Sequence, residues 1–158
     1  MKLTIRLDAT PVLRRLDRIV ANITQGRSKE LEAAGRSAGA QYLGFIRKRF
    51  RGASAGDGTW KRLAASTVRQ KGGPVPILRE TGRLYASLLP GNPDCVFQPR
   101  GWGIRVGSRV PYAEFHQTGA GHLPRRSIFI GPDEPTKQRM QNSYARAFKA
   151  AVEAGLKR

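Results

Sequence analysis

Hydrophobic residues near the start of the chain alternate with polar ones: Leu3, Ile5 and Leu7 against Lys2, Thr4 and Arg6. A period of two predicts a half-buried strand. Thr10-Pro11 then fits an N-cap followed by proline at the first helical position. Val12, Leu13, Leu16, Ile19, Val20 and Ile23 recur at helical spacing with arginines between them, predicting an amphipathic helix that ends near Gln25-Gly26. Ser28 is placed to cap a second helix, whose stripe is Leu31, Ala34, Ala38, Tyr42, Phe45, Ile46 and Phe50. Gly35, Gly39 and Gly44 lie inside that stripe. Each costs ~1 kcal/mol relative to alanine in a helix, so close packing against another element is expected there. The stripe ends in the basic turn RKRFR, Arg47 to Arg51, which suits the helix dipole.

The second half is more broken. GASAGDG, Gly52 to Gly58, reads as a loop, and Trp60, Leu63 and Val68 as anchors of a short helical piece. KGGPVPI, Lys71 to Ile77, is a proline-rich loop. Thr81 is placed to cap the short helix GRLYASL, with Leu84 and Leu88 on one face. Residues 95–99 and 102–107 flank Arg100-Gly101 as a β-hairpin. Pro111 opens a short helix, YAEFHQ, which breaks at Thr118-Gly119, and SIFIG reads as a short strand. Asp133-Glu134 sit where a helix begins and anions are favoured. Met140, Tyr144, Phe148, Val152 and Leu156 form the stripe of that last helix. The order predicts an α+β fold, a small antiparallel β-sheet with long α-helices packed on one face. Without an internal repeat or a linker, residues 1–158 read as one domain.

Composition, 39% hydrophobic and 25% charged, suits a globular chain. Charge changes the picture more. Lys and Arg number 29 against 11 Asp and Glu, a net charge of +18. Residues 1–51 carry +8, 52–100 carry +4 and 101–158 carry +6, so the charge is spread and not confined to a tail. Such a chain is expected to meet a polyanion or an acidic protein, or to be neutralised in an assembly. No apolar run approaches the ~18 residues of a membrane helix. The first residues lack the apolar core of a signal peptide, so the chain is expected to act in the compartment where it is made. The single Cys95 excludes an intrachain disulfide and a cage of several cysteines. Beside Val96 and Phe97 it reads as a small strand residue.

The stretch YAEFHQTGAGHLPRRSIFIG, Tyr112 to Gly131, holds both histidines, His116 and His122, with Glu114 nearby. Glu114 and His116 are two apart and point to different faces of a helix, and His122 lies beyond glycines. The tight pairs typical of zinc sites are missing, so no metal and no cofactor is expected. There is no GxSxG and no P-loop, and nothing in the residues makes a positive case for catalysis. Phosphate contact is the stronger generic alternative, through Arg47, Lys48, Arg49 and Arg51, although no zinc-finger or RNA-recognition signature accompanies them.

Several pieces recur in a fixed order: Trp60, Leu63, Ser66-Thr67 and Lys71; then LRETGRLYASL from Leu78 to Leu88; Val106-Gly107-Ser108; Tyr112-Ala113, His116-Gln117 and Gly119; and Pro124-Arg125-Arg126 leading to Ile128-Phe129-Ile130-Gly131. Over about residues 40–135 this set resembles the phage virion morphogenesis family, the tail completion proteins of Mu-like and related tailed phages. The family commonly has Arg-Pro before its final strand, whereas here Ser127 follows Arg126. The resemblance implies a non-enzymatic structural virion protein, assembled in the host cytoplasm and placed at the head–tail junction or neck. It would form a homo-oligomeric ring, sixfold by analogy. Its partners would be the tail terminator or tail tube protein and the head-side connector or stopper protein, with packaged DNA a further partner for the positive charge and no membrane. The alternative is a basic protein that contacts DNA phosphates non-specifically. Within this reading Trp60, Leu63, Leu84, Leu88, Trp102 and Phe115 are expected core anchors. Gly82, Gly107 and Gly119 are expected at turns or close approaches. Tyr112 and His116 belong to local packing, and His122, Arg125 and Arg126 are expected intersubunit contacts.

Overall fold

The computed structural model describes residues 14, 16–21, 28–100 and 103–157, without the side chains of Pro99, Leu156 and Lys157. The alternating stretch at Leu3, Ile5 and Leu7, the Thr10-Pro11 cap and Trp102 lie outside the described residues. In chain order the elements are α1 (residues 16–21), α2 (Lys29–Ala55), α3 (Ala65–Gln70), α4 (Arg83–Ala86), β1 (Cys95–Arg100), β2 (Gly103–Ser108), α5 (Ala113–Thr118) and α6 (Glu134–Lys157). The class is α+β, as expected, with two long helices and a small two-stranded antiparallel sheet.

α2 is the spine. Ser28 caps it, its Oγ accepting from the Leu31 N–H at 3.4 Å and donating to the Glu30 carboxylate at 2.8 Å. The helix does not stop at the basic turn. Phe50, Ala53 and Ser54 extend the buried face at i, i+3, i+4, and the end comes at Gly56, whose φ of 92° supplies a left-handed cap. Residues 52–55, expected in a loop, are therefore helical.

α2 crosses both strands of the hairpin, and α6 packs along it. At Gly39 the expectation of close packing holds: a Cβ there would lie 2.6 Å from Ile104 Cδ1 and 3.1 Å from Phe97. Gly44 has open space around it and marks no such contact. The hairpin pairs Cys95 with Ser108 and Arg100 with Gly103, so Arg100, expected in the turn, belongs to β1, and β2 runs on to Ser108. Lys48 stands near Asp133, and Gln41 donates to Ser143 Oγ at 3.0 Å, so α6 runs back antiparallel to α2. Asp133 caps α6, its carboxylate accepting from the Thr136 N–H at 3.0 Å.

The face α6 buries matches the expected stripe in part: Met140, Tyr144 and Val152 are half-buried, but Phe148 is not on it and the most buried positions are polar. Thr136, Met140, Ser143 and Ala147 turn inward, while Phe148 is 52% exposed. Residues spaced strictly by four drift ~40° per step on a 3.6-residue helix. The stripe through Met140, Tyr144 and Phe148 therefore winds out to solvent, and alternation of three and four keeps to the core.

The core gathers Ile46, Phe50 and Ala53 of α2 with Trp60, Ile77, Leu84, Leu88, Val110, Ala113 and Ile128. Trp60, Leu84 and Leu88 are buried as expected, and Leu63 packs at the margin. Phe115 is 51% exposed and is no core anchor, because it sits on the outer side of a one-and-a-half-turn helix.

Gly39→Ala gains ~1 kcal/mol of helix propensity but overpacks the sheet contact, which typically costs ~1–3 kcal/mol. The single variant should unfold at lower denaturant than the parent. In an Ile104→Ala background the same substitution should recover most of that loss, read by urea titration.

Candidate functional site

The expected strand at residues 127–131 is absent; the segment is irregular, bends at Phe129 and pairs with no strand among the described residues. Its buried backbone groups bond to side chains instead. Gln117 does most of this. Its Oε1 accepts from the N–H groups of Ile128 (2.7 Å) and Phe129 (2.9 Å), and its Nε2 donates to the Phe129 carbonyl (2.8 Å). The Ser127 carbonyl accepts from both Arg49 Nη1 (2.7 Å) and Trp60 Nε1 (3.2 Å), and the Ile130 carbonyl accepts from the Tyr42 hydroxyl (2.7 Å). Four side chains, two from α2, one from the segment after it and one from α5, thus converge on one five-residue segment.

The recurring pieces meet around it. α5 is short because Gly119, at φ 77°, ends it, and a Cβ on Gly119 would stand 3.0–3.2 Å from the Arg125 backbone and Cβ. That close approach lets the His116 carbonyl accept from the Arg126 N–H at 2.7 Å. Arg126 is 5% exposed, and its guanidinium donates from Nε and Nη2 to the Lys61 carbonyl. It is therefore not available to a neighbouring subunit; it ties the Trp60 segment to the segment after α5. Arg125 and His122 are exposed, as contact residues must be.

Ser87 and Ser108, from LRETGRLYASL and the Val-Gly-Ser piece, face each other at 2.7 Å, and Ser87 is fully buried. Arg83 holds Asp94 with two bonds of 2.7 and 3.2 Å, joining α4 to the start of β1. Thr81 accepts from the Arg83 N–H at 3.3 Å, but the N-cap position belongs to Gly82, whose φ of 72° is the actual turn into α4. Gly107 has ordinary space above it and no positive φ, so neither a turn nor a close approach explains it.

The basic turn does not form one phosphate-facing surface. Arg49 is engaged with Ser127 and Arg47 is half-buried, which leaves Lys48 and Arg51 exposed. Among the described residues no three of His, Cys, Asp and Glu gather to hold a metal ion, and no helix is long and apolar enough to cross a membrane. Cys95 is buried, and burial pushes its thiol pKa up, away from a reactive thiolate.

His116 lies between Tyr112, with ring centroids 6.2 Å apart, and the Arg126 charge. Burial first, then Arg126, lowers its pKa below 6.5, and its Nδ1 is buried without a hydrogen-bond partner. Sequence reasoning missed Gln117 and the inward turn of Arg126. The signal for Gln117 was an amide beside the helix-ending glycine and ahead of an apolar segment; nothing local distinguishes Arg126 from Arg125.

Compared with models of protein families, with curated proteins and with solved structures, the chain matches none of them.

Gln117→Leu strands two N–H groups and a carbonyl, each unmade buried bond costing ~1–3 kcal/mol. A loss of ~2–4 kcal/mol in chemical denaturation is the expected result. The histidine gives a separate expectation. With a folded pKa below 6.5, the unfolded chain binds more protons as pH falls past 6.5. Stability should therefore be full above that pH and decline below it. His116→Gln should flatten that decline. The lowered carboxylate pKa values of Asp94 and Asp133 act only below 3.8, in a separate window.

Proposed function

We propose that this chain is a structural virion protein of a tailed phage, a non-enzymatic subunit that closes a homo-oligomeric, sixfold ring at the head–tail junction and joins tail to neck. The carrying observation is that three of the ordered pieces, those of Trp60, Gln117 and Arg126, meet in one buried polar knot around residues 126–130. They serve architecture, and the polar groups that an enzyme would direct at a substrate are bonded inward.

What remains outside is contact material. The loop after Gly119 carries exposed His122, Leu123 and Arg125, and the neighbouring helix exposes Tyr112 and Phe115. Apolar side chains beside cations suit a head-to-tail interface, with arginine the preferred cation for desolvated contacts. The positive charge would be met by acidic surfaces of the tail terminator or tube and of the connector or stopper.

The paired change Leu123→Asp with Arg125→Glu should leave thermal unfolding unchanged and abolish ring closure and incorporation into particles, scored by size measurement and by complementation of infectivity. Assembly unaffected by both changes would sink the reading. If instead the chain acted by phosphate contact, DNA binding would fall steeply with salt and drop in Lys48→Glu with Arg51→Glu.

A further inference from the structure

A cavity of about 310 Å³ opens at the C-terminal end of α2. Ala55 and Gly56 form one wall, Leu63 and Val68 a second, and Val75 and Ile77 a third. We propose that it seats a bulky apolar side chain carried on an acidic peptide segment of a partner protein. The inference stands on the cavity and its charges, independently of the ring.

The walls are fixed before anything binds. The Ser54 carbonyl accepts from the Ile77 N–H at 2.9 Å, and Ser54 Oγ donates to the Ile77 carbonyl at 2.6 Å, so the proline-rich loop is clamped to the helix end. The Gly73 N–H donates to the Val68 carbonyl at 3.0 Å, closing the loop onto α3. On the other side Arg126 and Trp60 hold the backbone that leads into Leu63. A preformed apolar wall spares an incoming side chain the cost of ordering its site.

Size and lining narrow the occupant. The volume is at the small end of the ~300–1,000 Å³ typical of ligand pockets, enough for one or two side chains rather than a dinucleotide. The lining holds no acid, and its one charged residue is Arg62, exposed at the rim. Residues 54–80 carry five basic and two acidic side chains. Both acids are engaged: Glu80 with Lys71 at 2.6 Å, and Asp57 with the Thr59 N–H at 2.8 Å. Lys61, Arg62 and Arg69 are exposed, and no acid among the described residues pairs with them. A second copy of a chain of net charge +18 would bring like charge to this rim, whereas an acidic segment brings the complement.

The probe is a short fluorescent peptide with a central Leu-Phe pair flanked by glutamates, titrated into the full chain by anisotropy. Saturable binding should weaken ~10-fold or more, at least 1.4 kcal/mol, when Leu-Phe becomes Ala-Ala. Arg62→Glu should weaken it comparably, as should Val75→Asp in the wall. Ala55→Trp blocks the mouth from an exposed position, so it tests occupancy even if Val75→Asp unfolds. Equal binding of the Ala-Ala peptide, equal binding of a lysine-flanked Leu-Phe peptide, or no saturable binding of the glutamate peptide would each overturn the proposal.

Discussion

The structure depends on satisfying the backbone of one irregular segment, residues 127–130, packed on the core without a strand beside it. A buried N–H or carbonyl left unpaired costs about as much as a hydrogen bond is worth, and often more. A neighbouring strand is the usual remedy. Here side chains of Gln117, Tyr42, Arg49 and Trp60 supply the partners, drawn from α5, from α2 (Tyr42 and Arg49) and from the segment after α2. Once they are in place, the direction of α5, the packing of Trp60 edge-on to Phe50 at 5.0 Å and the approach to α6 are set together. Deleting Gln117 or Tyr42 strands groups that the others do not reach, whereas the Ser127 carbonyl has two donors. The knot is thus a cooperative unit rather than a sum of contacts.

What was legible in the sequence follows from which interactions are local. The Ser28 cap, the Gly119 stop, the hairpin and the existence of both long helices rest on spacing and on residue types within a few positions. The α+β class followed from their order. The extra turn of α2 was missed because glycines at 52 and 56 look alike in sequence. Only one of them has a left-handed φ, and packing of Phe50 and Ala53 decides which. The strand expected at SIFIG failed for a deeper reason. Alternation reports that a segment is extended and half-buried, but says nothing about what satisfies its backbone. That partner is eleven or more residues away, in Gln117 and beyond. Arg126 lies still farther, 65 residues, from Lys61, so the fate of two adjacent arginines, one buried and one exposed, could not be read from their neighbourhood.

The charge has little to do with holding the fold. Arg36–Glu32, Lys137–Glu134 and Lys149–Glu153 are solvent-exposed pairs within single helices, of the kind that contribute ~0–1 kcal/mol, and Arg83–Asp94 is the pair that joins two elements among the described residues. Most of the excess cations instead repel one another across the surface, a burden that falls when an acidic neighbour arrives. Stability and charge therefore pull in opposite directions in the isolated chain, and agree only in an assembly.

This division also separates what identifies the fold from what selects a partner. Trp60, Ser87, Ser108, Gln117 and Arg126 all direct their polar atoms inward. His116 is held towards neutrality by burial and by the neighbouring guanidinium of Arg126. The residues left facing outward, Leu123 and Arg125 in the loop, Lys61, Arg62 and Arg69 around the cavity, lie between or beside the recurring pieces. A chain built this way can keep its buried knot while its rims are re-charged and re-shaped for a different neighbour. In the assembly proposed above, partner choice would be a property of the loops, with the buried knot as the frame that holds them at fixed spacing.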